Sequence, residues 1–256
     1  MITYKGVSPD FSLLGKVAII TGGTAGIGYA TAELFAKKGV KLVLAATNPA
    51  TDCIAKKLGT ENIGVPGNLC EGNIRKTVLD KTLAAFGKVD ILLNIAGISL
   101  LEKAESYREE HWDRMMDVNL KASFMMAKLV GAHWIACKQG DGCIVNMASQ
   151  AGVIALDKHV AYCASKAAII AMTKVLALEW GKYGIRVNCV SPTVVMTEMG
   201  RRVWDNPAGD AFKKEIPAGR FAEVDEIAGV TAFLCSDAAA MITGHNLIVD
   251  GGYTIR

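Results

Sequence analysis

The chain has 256 residues, 51% of them hydrophobic and 21% charged, and a net charge of +3. That much apolar material supports a sizeable core and argues against disorder, while so small a positive surplus, with both signs interspersed, leaves no basic face of the kind nucleic acid demands. No run nears the ~18 uninterrupted apolar residues of a membrane span, and residues 1–16 hold Pro9 and Asp10 rather than a cleavable leader. Seven cysteines without a C-x-x-C pair and four histidines without helical i, i+4 spacing point to reduced thiols, a cytoplasmic location and no metal.

Short apolar runs read as strands at Val17–Thr21, Lys41–Ala46, Ile63–Gly67, Val89–Asn94, Cys143–Ala148, Arg186–Ser191 and Asn246–Asp250. Helical stretches lie between them, near 27–38, 71–86, 109–136, 159–183 and 223–236. Runs such as VAIIT, LVLAA, DILLN and CIVNM are apolar on both faces, as parallel strands sandwiched between two helical layers must be. The alternation predicts an α/β fold, a doubly wound Rossmann-type sheet of about seven parallel strands flanked by helices. No linker or repeat divides residues 1–256, so one domain is expected, with 1–14 as an N-terminal extension. The stretch 193–219, holding Trp204, Asn206, Pro207, Gly209 and Pro217, breaks the alternation where a substrate-covering lid would fit.

Two constellations carry chemistry. The first strand runs into Gly22-Gly23-Thr24-Ala25-Gly26-Ile27-Gly28 and then a helical pattern. Glycines there permit a tight turn and bring backbone N–H groups and a helix N-terminus up to a pyrophosphate. Farther on, Tyr162 and Lys166 stand four apart on one helical face, Ser149 lies thirteen residues before Tyr162 at a strand end, and Asn119 sits in Asp117-Val118-Asn119-Leu120. A free tyrosine has a pKa near ~10, too high for a good base at neutral pH. An ammonium one turn away favours tyrosinate, so the pairing suits proton transfer to or from an alcohol.

Together these residues resemble the short-chain dehydrogenase/reductase family, and within it the L-xylulose reductase and polyol dehydrogenase branch. The glycine turn matches its T-G-x-x-x-G-x-G, Asn94-Ile95-Ala96-Gly97 its N-N-A-G with Ile for the second Asn, and Tyr162 to Lys166 its Y-x-x-x-K. Pro192-Thr193-Val194-Val195-Met196-Thr197 is similar to its P-G-x-x-x-T, and Asp250-Gly251-Gly252 to its closing D-G-G. The resemblance implies hydride transfer between a nicotinamide cofactor and a secondary alcohol or ketone, with Asn119, Ser149, Tyr162 and Lys166 as the catalytic tetrad.

By the same resemblance the cofactor would touch Gly22, Thr24, Ala25, Gly26, Ile27 and Gly28 at the phosphates. Ala46 and Thr47 would lie at the adenosine ribose, Asn68 and Leu69 at adenine, and Asn94, Ala96 and Gly97 beside the fourth strand. Pro192, Val195 and Thr197 would embrace the nicotinamide, with Tyr162 and Lys166 at its ribose. At the family's acidic position stands Ala46, and Thr47 follows where NADP enzymes often place Arg. A 2′-phosphate wants a cation more than a hydroxyl wants a carboxylate, which favours NAD while leaving NADP open. Gln150, His159 and Trp204 join Ser149 and Tyr162 as substrate candidates. A polyol needs buried partners, because each unpaired hydroxyl costs about 1–3 kcal/mol; the alternative for His159 is an exposed helix start, and for Trp204 lid packing. A homotetramer acting on a small polyol or ketose is implied, without nucleic acid or membrane partners. An NADPH-dependent ketone or 3-oxoacyl reductase and a catalytically silent dinucleotide-binding regulator remain as alternatives.

Overall fold

The computed structural model describes residues 11–256. Seven strands form one parallel sheet: β1 Val17–Thr21, β2 Lys41–Ala46, β3 Ile63–Pro66, β4 Ile91–Asn94, β5 Cys143–Met147, β6 Arg186–Pro192 and β7 Asn246–Val249, in the order β3-β2-β1-β4-β5-β6-β7. All seven predicted strands are present, with ends shifted by up to two residues. The order reverses between β1 and β4, and that switch point opens a crevice at the carboxyl ends of the strands.

Alternate strand residues feed two cores. Ala18, Ile20, Leu42, Leu44, Ile91 and Leu93 pack toward α1 (Gly26–Lys37), α2 (Thr51–Lys57) and α9 (Val224–Cys235). Ile19, Val43, Leu92, Ile144 and Val187 pack toward α3 (Gly72–Phe86), α5 (Ala122–Ala136) and α6 (Val160–Trp180). Both faces are covered, which explains why β1, β4 and β5 are buried along their whole length.

Several expectations change. The helical stretch 109–136 is α4 (Glu109–Met115), a π-helical turn (Met116–Lys121) and α5 running on continuously. The irregular stretch 193–219 contains two short helices, α7 (Glu198–Trp204) and α8 (Pro207–Glu215). Pro207 does not break α8: it occupies the first turn, and Asn206 Oδ1 accepts the N–H groups of Ala208 and Gly209. Of the expected N-terminal extension, residues 1–10 lie outside the described residues; Leu13 is core, and the Phe11 ring meets Phe233 edge-on at 5.8 Å. Val160–Tyr183 is the one helix among the described residues long and apolar enough to cross a membrane by length and composition. It nevertheless carries buried Lys166 and packs Leu176 and Ala177 into the second core, so here it acts as a core helix.

Candidate active site

The glycine turn fills the crevice between β1 and β4. Gly22 has φ +68°, and a Cβ on it would stand 2.9 Å from the Ala96 Cα, so the loops after β1 and β4 touch backbone to backbone. Gly28 is stricter: its Cβ would lie 2.2 Å from the Gly22 carbonyl oxygen. Thr21 locks the pair of loops from below, its hydroxyl accepting the N–H groups of Ile95 (2.9 Å) and Ala96 (3.1 Å) and donating to the Leu93 carbonyl (3.2 Å). Thr21 was not among the predicted site residues; only the contact across the sheet reveals its role.

The first turn of α1 follows at once. Its N-cap, Ala25, offers no side-chain oxygen to the free N–H groups, and no acidic residue stands in the first turn. Uncapped donors at the positive end of a helix are what a pyrophosphate requires, so Thr24 to Gly28 fit the group the sequence implies. A Cβ on Gly26 would sit 3.0 Å from Thr197 Cγ2, so the segment after β6 packs onto this turn. That segment is stitched down by Met196 N–H to the Ala222 carbonyl (2.8 Å) and Ala222 N–H to the Val194 carbonyl (3.1 Å). The Thr197 hydroxyl accepts the Gly200 N–H at 2.9 Å and caps α7. Pro192 and Val195 are buried beside it.

At the adenosine end, Ala46 closes β2 half-buried and Thr47 is exposed just beyond. Asn68 is exposed, and its Oδ1 accepts the Cys70 N–H at 3.0 Å. Leu69 is buried, and its carbonyl holds the Arg75 guanidinium. Asn94 turns its amide inward, donating to Asn146 Oδ1 (2.9 Å) and the Ser123 carbonyl (3.1 Å). Asn146 in turn donates to Thr173 Oγ1 (2.9 Å), so a buried polar chain crosses from β4 through β5 to α6. The Asn94 side chain therefore ties the sheet to α5 and α6. It does not reach into the crevice as its place in the motif suggests.

The tetrad residues converge. Lys166 is 4% exposed, and its Nζ donates to the Met147 carbonyl at 2.7 Å while lying 5.6 Å from the centre of the Tyr162 ring. Burial pulls its pKa down to about 8. Ser149 stands near the Tyr162 phenol, and its Oγ accepts the Ala151 N–H at 3.1 Å. Burial raises the Tyr162 pKa above that of a free phenol, and the Ser149 hydroxyl pulls against this rise. Lys166 spends its hydrogen bond on the Met147 carbonyl, and the lowering expected of Tyr162 draws on the charge of oxidised nicotinamide as well as on this ammonium. Gly97 completes the corner, since a Cβ there would lie 3.6 Å from Lys166 Nζ and 3.2 Å from Asn119 Oδ1.

Asn119 sits in the π-helical turn, 1% exposed. Its Oδ1 accepts the Ile98 N–H (2.8 Å), and its Nδ2 donates to the Ile98 carbonyl (2.9 Å) and to Ser165 Oγ (3.2 Å). Its side-chain amide is thus fully occupied. Its backbone carbonyl accepts the Ser123 hydroxyl at 3.0 Å. Asn119 fastens the loop after β4 to α6.

The three substrate candidates differ. Gln150, directly after Ser149, is 2% exposed, and its Oε1 has no hydrogen-bonding partner. The His159 ring stands edge-on to Tyr162 with centroids 6.0 Å apart. Trp204 ends α7 and packs against Phe212 (5.3 Å) and Phe221 (5.9 Å), and Phe212 continues the cluster to Tyr253 (5.0 Å). Lid packing is the role these contacts give Trp204.

The family model described as "Enoyl-(Acyl carrier protein) reductase", a short-chain dehydrogenase model, matches residues 22–254. An NAD-dependent glycerol dehydrogenase from Listeria innocua serovar 6a is 50% identical over 100% of both chains. A D-threitol dehydrogenase from Mycolicibacterium smegmatis is 48% identical over 96% of each, and the L-xylulose reductase of Homo sapiens 36% identical over 95% of this chain and 98% of that one. Among solved structures, a short-chain type dehydrogenase/reductase from Mycobacterium marinum superposes with a TM-score of 0.89 at 30% identity, covering 96% of this chain and 98% of the other.

Proposed function

Because the chain belongs to the short-chain dehydrogenase/reductase family, whose members oxidise alcohols and reduce ketones, we propose that it interconverts a polyol and the corresponding ketose with NAD as hydride acceptor. The observation that carries this reading is the stack of Ser149, Tyr162 and buried Lys166 beside an uncapped α1 N-terminus. The relatives named for glycerol, D-threitol and L-xylulose support the substrate class, and the first of them supports NAD. Ala46 and Thr47 provide no cation for a 2′-phosphate, in line with that choice.

The residues divide the work as follows. Gly22 to Gly28 hold the pyrophosphate, the segment Pro192 to Thr197 lies over the nicotinamide end, and Lys166 reaches the ribose. When bound, oxidised nicotinamide supplies the hydride acceptor and a positive charge near the phenol. Ser149 holds the substrate oxygen, and Tyr162 takes its proton as the carbon is oxidised. In the reverse direction Tyr162 returns that proton to the developing alkoxide. Gln150 Oε1 and His159 accept hydrogen bonds from neighbouring substrate hydroxyls. The lid, α7 and α8, closes over them with Trp204 as an anchor in its aromatic cluster.

The enzyme works as a cytoplasmic homotetramer, with exposed Val175 and Leu178 of α6 (52% and 83%) as candidates for a subunit contact; light scattering checks this. The decisive assay follows NAD and NADP reduction at 340 nm against polyols of three to six carbons. NAD reduction by at least one of them is expected. Activity confined to NADPH with acyl thioesters would establish the 3-oxoacyl alternative, and dinucleotide binding without any turnover the regulatory one.

A further inference from the structure

Beyond the tetrad lies a pocket of about 400 Å³, walled by Lys103 to Glu105 on one side and Leu156 to Val160 on the other. Its position, shape and charge belong together. His159 is common to the pocket and to the catalytic corner, since the same ring stands edge-on to Tyr162. The His159 Nδ1–H donates to the Asp157 carbonyl at 2.5 Å. In a neutral imidazole that leaves Nε2 as an acceptor.

The two walls are joined rather than loose. Glu102 N–H donates to the Lys158 carbonyl at 3.2 Å, and Lys158 holds a left-handed backbone (φ +62°) that a side chain rarely adopts. The Glu102 carboxylate is clamped by Arg108 Nε (2.8 Å) and backbone N–H (3.0 Å), and Arg108 Nη2 also donates to His111 Nδ1 (3.1 Å). The Tyr107 hydroxyl donates to the Leu100 carbonyl at 2.7 Å. The 3-10 turn Ala104–Ser106 and the loop around it are thus held in one shape, and the pocket is preformed.

Its charges cancel, with Lys103 and Lys158 among the lining residues alongside Glu105 and Asp157. A phosphorylated or carboxylated ligand would call for a cationic excess, whereas uncharged hydroxyls are both donors and acceptors and suit alternating signs. Neither Tyr162 nor Ser149 lines the pocket, so this space is additional to that of a three-carbon substrate seated at Tyr162, and its volume falls within the range of about 300 to 1,000 Å³ usual for small-molecule pockets.

We propose that this pocket is a distal subsite for the far hydroxyls of an uncharged polyol longer than three carbons, so that chain-length preference is set by Lys103 to Glu105 and the turn before α6. The inference rests on the polyol reading above. Its test compares kcat/KM for glycerol and for four-, five- and six-carbon polyols in the wild type, in Ala104→Trp, which fills the pocket, and in Glu105→Ala, which removes an acceptor. The wild type should prefer the longer polyols. Ala104→Trp should lower kcat/KM for five- and six-carbon polyols at least tenfold, chiefly through KM, with glycerol within twofold; Glu105→Ala should show the same pattern at three- to tenfold. Equal effects on glycerol and long polyols, or none on either, overturn the subsite while leaving the reaction intact. A polyol phosphate outcompeting its free polyol overturns the uncharged class. A wild type oxidising no polyol of any length overturns the reaction itself, and the subsite with it.

Discussion

Replacing Lys166 with Met should stabilise the protein while ending its activity. The amine is 4% exposed and its pKa is held near 8 by burial, against 10.5 for a free lysine. At about 1.4 kcal/mol per tenfold, that difference costs the folded state about 3 kcal/mol at neutral pH. Methionine fills nearly the same volume without the charge. It also leaves the Met147 carbonyl without the donor it now has at 2.7 Å, a loss of about 1–3 kcal/mol. The balance favours the variant by about 0–2 kcal/mol at pH 7, or up to about 8 °C in Tm for a chain of this length. The sign with pH follows from the depressed lysine. Its folded form binds fewer protons than its unfolded form between pH 8 and 10.5, so wild-type stability recovers across that window. The variant's advantage should be constant below pH 8, then shrink and reverse toward pH 10.5. Urea unfolding at pH 7, 9 and 10, beside an activity assay, reads both. A variant less stable than wild type at pH 7, or a difference flat across pH, would refute burial of the charge as the dominant strain at this site.

Tyr162→Phe should cut kcat by about 10²–10⁴-fold with cofactor Kd nearly unchanged, since the hydroxyl alone moves the proton; retention of a tenth of wild-type kcat would remove it from that role. Because burial raises the Tyr162 pKa, alcohol oxidation should climb with pH through the alkaline range while ketone reduction falls, and initial rates in both directions show whether they diverge. Ala46→Asp should sharpen the preference for NAD by adding a ribose acceptor and a charge that repels phosphate, and Thr47→Arg should shift it toward NADP, both read as ratios of kcat/KM. Gly28→Ala should weaken dinucleotide binding at least tenfold by calorimetry, because its Cβ would stand 2.2 Å from the Gly22 carbonyl oxygen, part of a backbone that cannot give way.

The sheet was legible because runs such as Leu42 to Ala45 and Ile91 to Asn94 are apolar on both faces, a pattern few other settings tolerate. The glycine turn and the Tyr162–Lys166 pair were legible because their chemistry needs fixed spacings. What escaped has physical reasons. Helix α2 is seven residues with only Thr51 and Ala55 buried, too short to show a period. Helix α8 was hidden because Pro207 and Gly209 read as breakers, whereas Asn206 makes the proline a helix start. The partner of Lys166 is the carbonyl of Met147, an atom every residue possesses, so no residue type announces it. Asn94 and Asn119 were read as site residues from their motifs, yet their amides serve neighbouring backbone and core polar groups.

The π-helical turn at Met116–Lys121 gives this helix a sensitivity to length that is separate from any sensitivity to composition. An α-helix rotates about 100° per residue, and a π turn is in effect an α-helix carrying one surplus residue. Deleting that residue would leave a better-bonded rod. It would also swing Glu109–Met115 by about 100° relative to Ala122–Ala136 and carry fully buried Met115 out of the core. Asn119 apart, side chains in the turn can therefore be exchanged far more freely than residues can be inserted or deleted there. A gap in a homologue at this point would mark a chain whose Ile98 loop is held by some other means.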